Sequence, residues 1–176
     1  MNELEEAFDR GQKHYLPDMF VVNQPNTGWL VQKAQAASFT RTQLPDRILL
    51  HRKEGFWCFE LKQCQGASFP FNRLKEHQGM QLEDFALKVG KAFVIISFGG
   101  LDRVFAIPIT SYRFLERTIG RKSLKLADLD PLPDPQIKEV PVDIPVNQPR
   151  LNLSVLVTRD LREFLKSQKS GKKGES

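Results

Sequence analysis

Two apolar runs flanking a charged turn dominate the middle of the chain. Ile48-Leu49-Leu50 and Phe56-Trp57-Cys58-Phe59 lie on either side of a turn at Arg52 to Gly55, the signature of a β-hairpin. Folding back about that turn sets Asp46, at the start of the first strand, opposite Glu60 to Lys62 on the second. Side chains alternate along a strand, so Glu60 and Lys62 share one face while Trp57, Phe59 and Leu61 share the other. Three charged groups therefore converge beside a hydrophobic hairpin.

The flanking patterns are helical and strand-like in turn. Leu4, Ala7, Phe8, Gly11 and Tyr15 recur at helical spacing and predict a helix over Glu3 to Tyr15, with Glu5 at the border of the stripe. Phe20-Val21-Val22 fits a short strand and Asn23 to Gly28 a turn. Gln32 to Thr42, anchored mainly by Phe39, reads as a loop or weak strand. After the hairpin, Leu74, Leu82, Phe85 and Val89 predict a helix from about Asn72 to Val89, with Gly90 at the position of a C-terminal glycine. The i+4 step from Leu74 lands on Gln78. A glutamine within an apolar stripe needs a partner for its amide. Either a nearby backbone group supplies one, or the carbonyl oxygen points at a cation held by the hairpin.

Ala92 to Phe98 is apolar on both faces, as a central strand is. Gly99-Gly100 turns it into Val104 to Ile107, which Pro108 ends. Ser111 to Thr118 predicts a short helix and Arg121-Lys122-Ser123 a basic turn. Prolines 131, 133, 135, 141, 145 and 149 dictate a segment that is extended over the surface or mobile. Leu151 to Val157 alternates apolar residues. Thr158 then caps an amphipathic helix carrying Leu161, Phe164 and Leu165, and the tail from Ser167 reads as disordered.

Composition narrows the class without fixing it. The 176 residues suit one domain over residues 1–166, with a basic tail over 167–176. No apolar run approaches the ~20 residues of a membrane span. The acidic start Met1 to Glu6 lacks the apolar stretch of a secretory signal. Cys58 and Cys64 form no disulfide framework, which points to the cytoplasm. The net charge of +5 permits binding to nucleic-acid phosphates, and the lysines at 166, 169, 172 and 173 crowd the tail. His51, Cys58, Cys64 and His77 do not have zinc-site spacing.

The chemistry rests on Asp46, then thirteen residues, then Glu60-Leu61-Lys62. Two neighbouring carboxylates repel, and a divalent, oxygen-preferring cation relieves that repulsion. Mg²⁺ suits such a site because it accepts one or two carboxylates and keeps waters that meet a phosphate. Lys62, beside Glu60, is placed to orient a water or neutralise developing charge. Three charged positions with an elastic gap also recur by chance, so the triplet alone does not establish catalysis.

Glu60-Leu61-Lys62, followed by Ser68-Phe69-Pro70-Phe71 and His77-Gln78, resembles the RecU-type Holliday-junction resolvases of the PD-(D/E)XK nuclease superfamily. The resemblance continues in Leu4-Glu5-Glu6 with Tyr15, in Phe93 to Ser97, in Gly120 to Leu124 and in Pro149 to Asn152, spanning most of residues 3–155. It implies an α/β, restriction-endonuclease-like core: a mixed central sheet flanked by helices, with a short stalk-like insertion. The implied activity is that of a homodimeric, Mg²⁺-dependent endonuclease, with Mn²⁺ as a possible substitute, that nicks branched DNA at four-way junctions. Carried over, Asp46, Glu60 and Gln78 are metal ligands, Lys62 stabilises the transition state, and Glu5 is an acidic residue near the site. The sequence departs from the family at Leu44, where a threonine stands, and in the short, weakly charged segment from Gln24 to Gln43, where the family has a longer basic stalk. A basic N-terminal arm is also missing. A related nuclease acting on flaps, nicks or duplex DNA, or a non-catalytic DNA-binding recombination module, is the alternative.

Overall fold

The computed structural model describes residues 2–23, 45–51 and 55–157. The expectations for the segment from Gln24 to Gln43, for Leu44, for the tip of the hairpin turn and for everything from Thr158 onward lie outside the described residues.

The chain opens with helix α1 (Glu3–Tyr15), whose N-cap Asn2 accepts the Glu5 N–H through its side chain. Strands β1 (Met19–Asn23), β2 (Arg47–His51) and β3 (Gly55–Gln63) follow as an antiparallel meander. Helix α2 (Glu76–Lys88) then crosses over to β5 (Gly90–Phe98), which runs parallel to β3. Between β3 and α2 lie the short strand β4 (Ser68–Pro70) and a 3₁₀ turn at Phe71–Arg73. Strand β6 (Arg103–Pro108) and helix α3 (Ile109–Thr118) come next. Strand β7 (Ser123–Lys125) pairs with β4, and β8 (Lys138–Glu139) adds to the far edge of β6. A two-stranded ribbon of β9 (Val142–Asp143) and β10 (Arg150–Leu151) closes the described chain, followed by a 3₁₀ turn at Leu153–Leu156.

The main sheet has the order β1-β2-β3-β5-β6-β8, with β3 and β5 as its parallel pair. Strand β5 is central, as its apolar faces predict. The strand alternation divides the core in two. Leu49, Trp57, Phe59, Leu61 and Ile95 pack with Leu4, Ala7 and Phe8 of α1 on one face. Cys58, Val94, Ile96, Phe105 and Ile107 pack with Leu82 of α2 and Tyr112 of α3 on the other. On the α1 side Phe59 stacks on Phe93, with centroids 5.6 Å apart, and meets Phe8 edge to face at 4.9 Å. Both cysteines are buried and free.

Helix α1 docks late in the chain order. A Cβ at Gly11 would collide with the Leu151 carbonyl oxygen, so only glycine permits this approach. Arg10 Nε donates to the Pro149 carbonyl at 2.7 Å beside it.

Three expectations need correction. The second helix begins at Glu76, not near Asn72, because Phe71–Arg73 forms a separate 3₁₀ turn against β7. Leu74 is buried but precedes the helix, and Val89 is 51% exposed, so the stripe that joined them is not a single helical face. Gly90 does not end the helix in the left-handed region. It begins β5, directly opposite Phe56, where a side chain would strike the Phe56 carbonyl. Leu151 to Val157 is not one alternating strand, since the Asn152 side chain accepts the Ser154 N–H and starts a 3₁₀ turn. The proline-rich segment is extended, holding Ile137 and Val140 in the core and lending β8 to the sheet.

Candidate active site

The hairpin brings Asp46 and Glu60 together by register. Arg47 pairs with Phe59, so the residue before Arg47 meets the residue after Phe59. Asp46 Oδ2 accepts the Leu61 N–H at 2.8 Å, which ties the carboxylate to the neighbouring strand. Glu60 lies on the same side, 2% exposed, at a position flanked by apolar residues. Burial, and next the charge of Asp46, push the Glu60 carboxyl above its ordinary value, while Lys62 pulls against them. Same-face alternation delivers Lys62: its Nζ lies 2.7 Å from Glu60 Oε1.

Gln78, in the first turn of α2, completes the cluster. Its Nε2 donates to Glu60 Oε1 at 2.5 Å, and its Oε1 accepts from Lys62 Nζ at 3.2 Å and from the Lys75 N–H at 3.1 Å. Of the two alternatives, the backbone partner is the one present, the Lys75 N–H at the helix start, while the amide also touches the acidic hairpin. Here the amide nitrogen, not the carbonyl oxygen, faces Glu60.

Glu5 takes a different position. It is held by Asn2 Nδ2 at 2.9 Å, and its Oε2 lies 4.0 Å from Arg47 Nη2. Among the described residues its side-chain contacts therefore run to Asn2 and Arg47 rather than to the Asp46–Glu60 pair. Arg47 and Asp9 were not singled out from sequence. Arg47 Nε and Nη2 grip Asp9 Oδ1 and Oδ2 at 2.7 and 2.9 Å, and Nη1 donates to the Asp46 carbonyl at 2.8 Å. A signal was present, because strand alternation puts Arg47 on the face of Leu49, where a buried charge requires a partner.

The donor set fits a hard divalent cation. Asp46 Oδ1 and Glu60 Oε2 accept no side-chain hydrogen bond among the described residues. Both belong to carboxylates whose mutual repulsion a cation would relieve. Among the described residues no three histidine, cysteine, aspartate or glutamate side chains gather as a fuller cage. Two carboxylates with waters and substrate oxygens meet the needs of Mg²⁺, whereas Zn²⁺ prefers nitrogen and sulfur donors.

The fold is a mixed α/β one: a central mixed sheet flanked by helices, with an acidic hairpin, a parallel crossover strand and a lysine two residues beyond the second carboxylate. The chain belongs to the RecU family: the family model for recombination protein U matches residues 3–145. It is similar to the Holliday junction resolvase RecU of Staphylococcus saprophyticus, with 33% identity over 75 residues, 40% of this chain and 36% of that protein. The match thus spans little more than a third of that relative's length. A solved structure of Hjc, a Holliday junction resolvase from Archaeoglobus fulgidus, aligns at 16% identity over 68% of this chain and 87% of that one, with a TM-score of 0.44. Among the described residues no helix is long and apolar enough to cross a membrane.

Proposed function

We propose that this chain is a Mg²⁺-dependent endonuclease that resolves four-way DNA junctions by paired nicks, working as a homodimer with one site for each of two opposing strands. The observation that carries the proposal is the convergence of the Asp46 and Glu60 carboxylates with Lys62 and Gln78 on one face of the hairpin. Membership of the RecU family supports the DNA substrate.

Asp46 and Glu60 would hold the cation, with Gln78 beside them. The bound ion would lower the pKa of a water and polarise the phosphoryl oxygen. The remaining chemistry falls to the chain itself. Lys62 has three N–H donors, of which Glu60 and Gln78 take two. The third has no acceptor among the described residues and is placed to meet a phosphate oxygen as negative charge develops there. Gln78 braces both partners, donating to Glu60 and accepting from Lys62. That brace fixes the lysine relative to the carboxylate, and placement of this kind carries much of the rate in phosphoryl transfer. Leu61 holds Asp46 from the neighbouring strand, so the first carboxylate is positioned by the ladder itself.

Incubation with matched four-way, flap and linear DNA in Mg²⁺ or Mn²⁺ tests the proposal. Paired nicks near the branch point are expected. Asp46→Ala and Glu60→Ala should each lose cleavage by more than about a hundredfold, beyond the usual cost of losing an outer-shell partner. Junction binding should remain largely intact in both. Equal cleavage by wild type and both variants would end the proposal. Cleavage of flaps or linear duplex in preference to junctions would keep the nuclease and remove the resolvase.

A further inference from the structure

Arg47 is 1% exposed, yet nothing in the reaction outlined above uses it. Its guanidinium lies on the α1 face of the sheet, opposite the face that carries Glu60 and Lys62. Asp9 takes two of its donors in a fork, the strongest geometry available to an arginine–carboxylate pair. A third donor, Nη1, goes to the main-chain carbonyl of Asp46. Asp46 lies just outside the β2–β3 pairing, which begins at Arg47. Its carbonyl is thus held by a side chain anchored to α1, while its own carboxylate is held by Leu61 from β3. The two restraints act on opposite sides of one residue and together fix where the Asp46 carboxylate points. Glu5 Oε2, 4.0 Å from Nη2, is drawn toward the same guanidinium.

We propose that Arg47 is a positioning residue: clamped by Asp9, it locks the Asp46 main chain so that the Asp46 and Glu60 carboxylates are preset for a divalent cation. The inference rests on the metal-dependent reading of the site. An arginine that merely pinned α1 to the hairpin would contribute stability and leave cation affinity alone. One that sets the Asp46 peptide must alter affinity even where the fold is intact, as partners of metal-binding groups do.

The test measures Mn²⁺ affinity of the DNA-free protein by electron paramagnetic resonance, together with thermal unfolding and the Mg²⁺ concentration that half-saturates junction cleavage. Arg47→Lys keeps the charge but loses the fork. With the fold intact, its Mn²⁺ affinity should fall by about tenfold, and the half-saturating Mg²⁺ concentration should rise in parallel. Arg10→Ala serves as the control. It removes another link between α1 and the rest of the fold, the bond to the Pro149 carbonyl, without touching Asp46. It should lower the unfolding temperature and leave Mn²⁺ affinity unchanged. If Arg47→Lys does not fold, Asp9→Asn loosens the clamp more gently and should weaken Mn²⁺ binding toward the roughly tenfold lower end of the outer-shell range. Wild-type Mn²⁺ affinity in whichever folded variant is measured would overturn the positioning role while leaving the nuclease reading intact. Failure of the wild type itself to bind Mn²⁺ would overturn both.

Discussion

The two faces of the hairpin both bury charge, and they handle it in opposite ways. On the α1 face, Arg47 meets Asp9 in a fork and spends a further donor on the Asp46 carbonyl. On the α2 face, two carboxylates lie close enough for one to raise the other's pKa, with a single ammonium group between Glu60 and Gln78. The first arrangement neutralises itself and stiffens the fold. The second sets two carboxylates side by side in a site sheltered by apolar side chains, which costs stability, and under the proposed function a divalent cation would relieve that cost. One strand register produces both, because Arg47 and Asp46 are neighbours in sequence and therefore project to opposite sides.

Ways to break this contrast follow in order of size. Glu60→Gln removes the charge but keeps an acceptor for Lys62, and it should lose junction cleavage by more than about a hundredfold. Comparing single-turnover rates of the variant and wild type at saturating Mg²⁺ checks this. Arg47→Met should act on stability as well as on cation affinity, leaving Asp9 facing an apolar side chain. Removing one partner of a buried pair costs about 3–5 kcal/mol, readable as a shift in urea midpoint. Exchanging the two outcomes, with Arg47→Met neutral and Glu60→Gln strongly destabilising, would invalidate the contrast between the faces.

Smaller effects sharpen the comparison. In metal-free buffer, Glu60→Gln should raise the unfolding temperature at neutral pH, since it relieves the repulsion with Asp46. Each 1 kcal/mol gained corresponds to about 2–4 °C in a chain of this size. The pH dependence gives the same sign. Glu60 holds its proton more tightly when folded than when unfolded. Stability contributed by this group is therefore present below the unfolded carboxyl value and lost as pH rises through the folded one. The variant should lack that decline, which unfolding temperatures measured from pH 4 to 8 without metal would show. The last effect is on Cys58, whose thiol is pushed well up by burial and then by Glu60 and Asp46. It should resist alkylation at neutral pH in the native protein and react once the chain is unfolded.

Much of this molecule was legible in its sequence where one period persisted. Helix α1 follows its stripe from Glu3 to Tyr15, and the hairpin follows strict alternation. That alternation was enough to place Glu60, Lys62 and Asp46 on one side. The start of α2 was misread because Leu74 lies at helical spacing from Leu82 yet is buried by the 3₁₀ turn before the helix. Gln78 met Glu60 as the sequence suggested, but which end of its amide faces the carboxylate depends on the Lys75 N–H and on Lys62. The Arg47–Asp9 fork joins residues 38 apart through tertiary packing. The run Arg47-Ile48-Leu49-Leu50 announces a charge on a core-facing position without naming the partner. Leu151 to Val157 alternated by composition, but a local side-chain bond from Asn152 outcompeted the ladder.

The seat of Gly11 against Leu151 and of Arg10 against Pro149 has a consequence for biosynthesis. Helix α1 leaves the ribosome well before the segment it rests on, which emerges more than a hundred residues later. Until then α1 lacks its seat on that side and rests on the hairpin alone, through Arg47 and Phe59. Full packing of the helix that holds Arg47 is thereby tied to translation of the distal part of the polypeptide, so a prematurely stopped product would carry the motif residues with that helix supported on one side only.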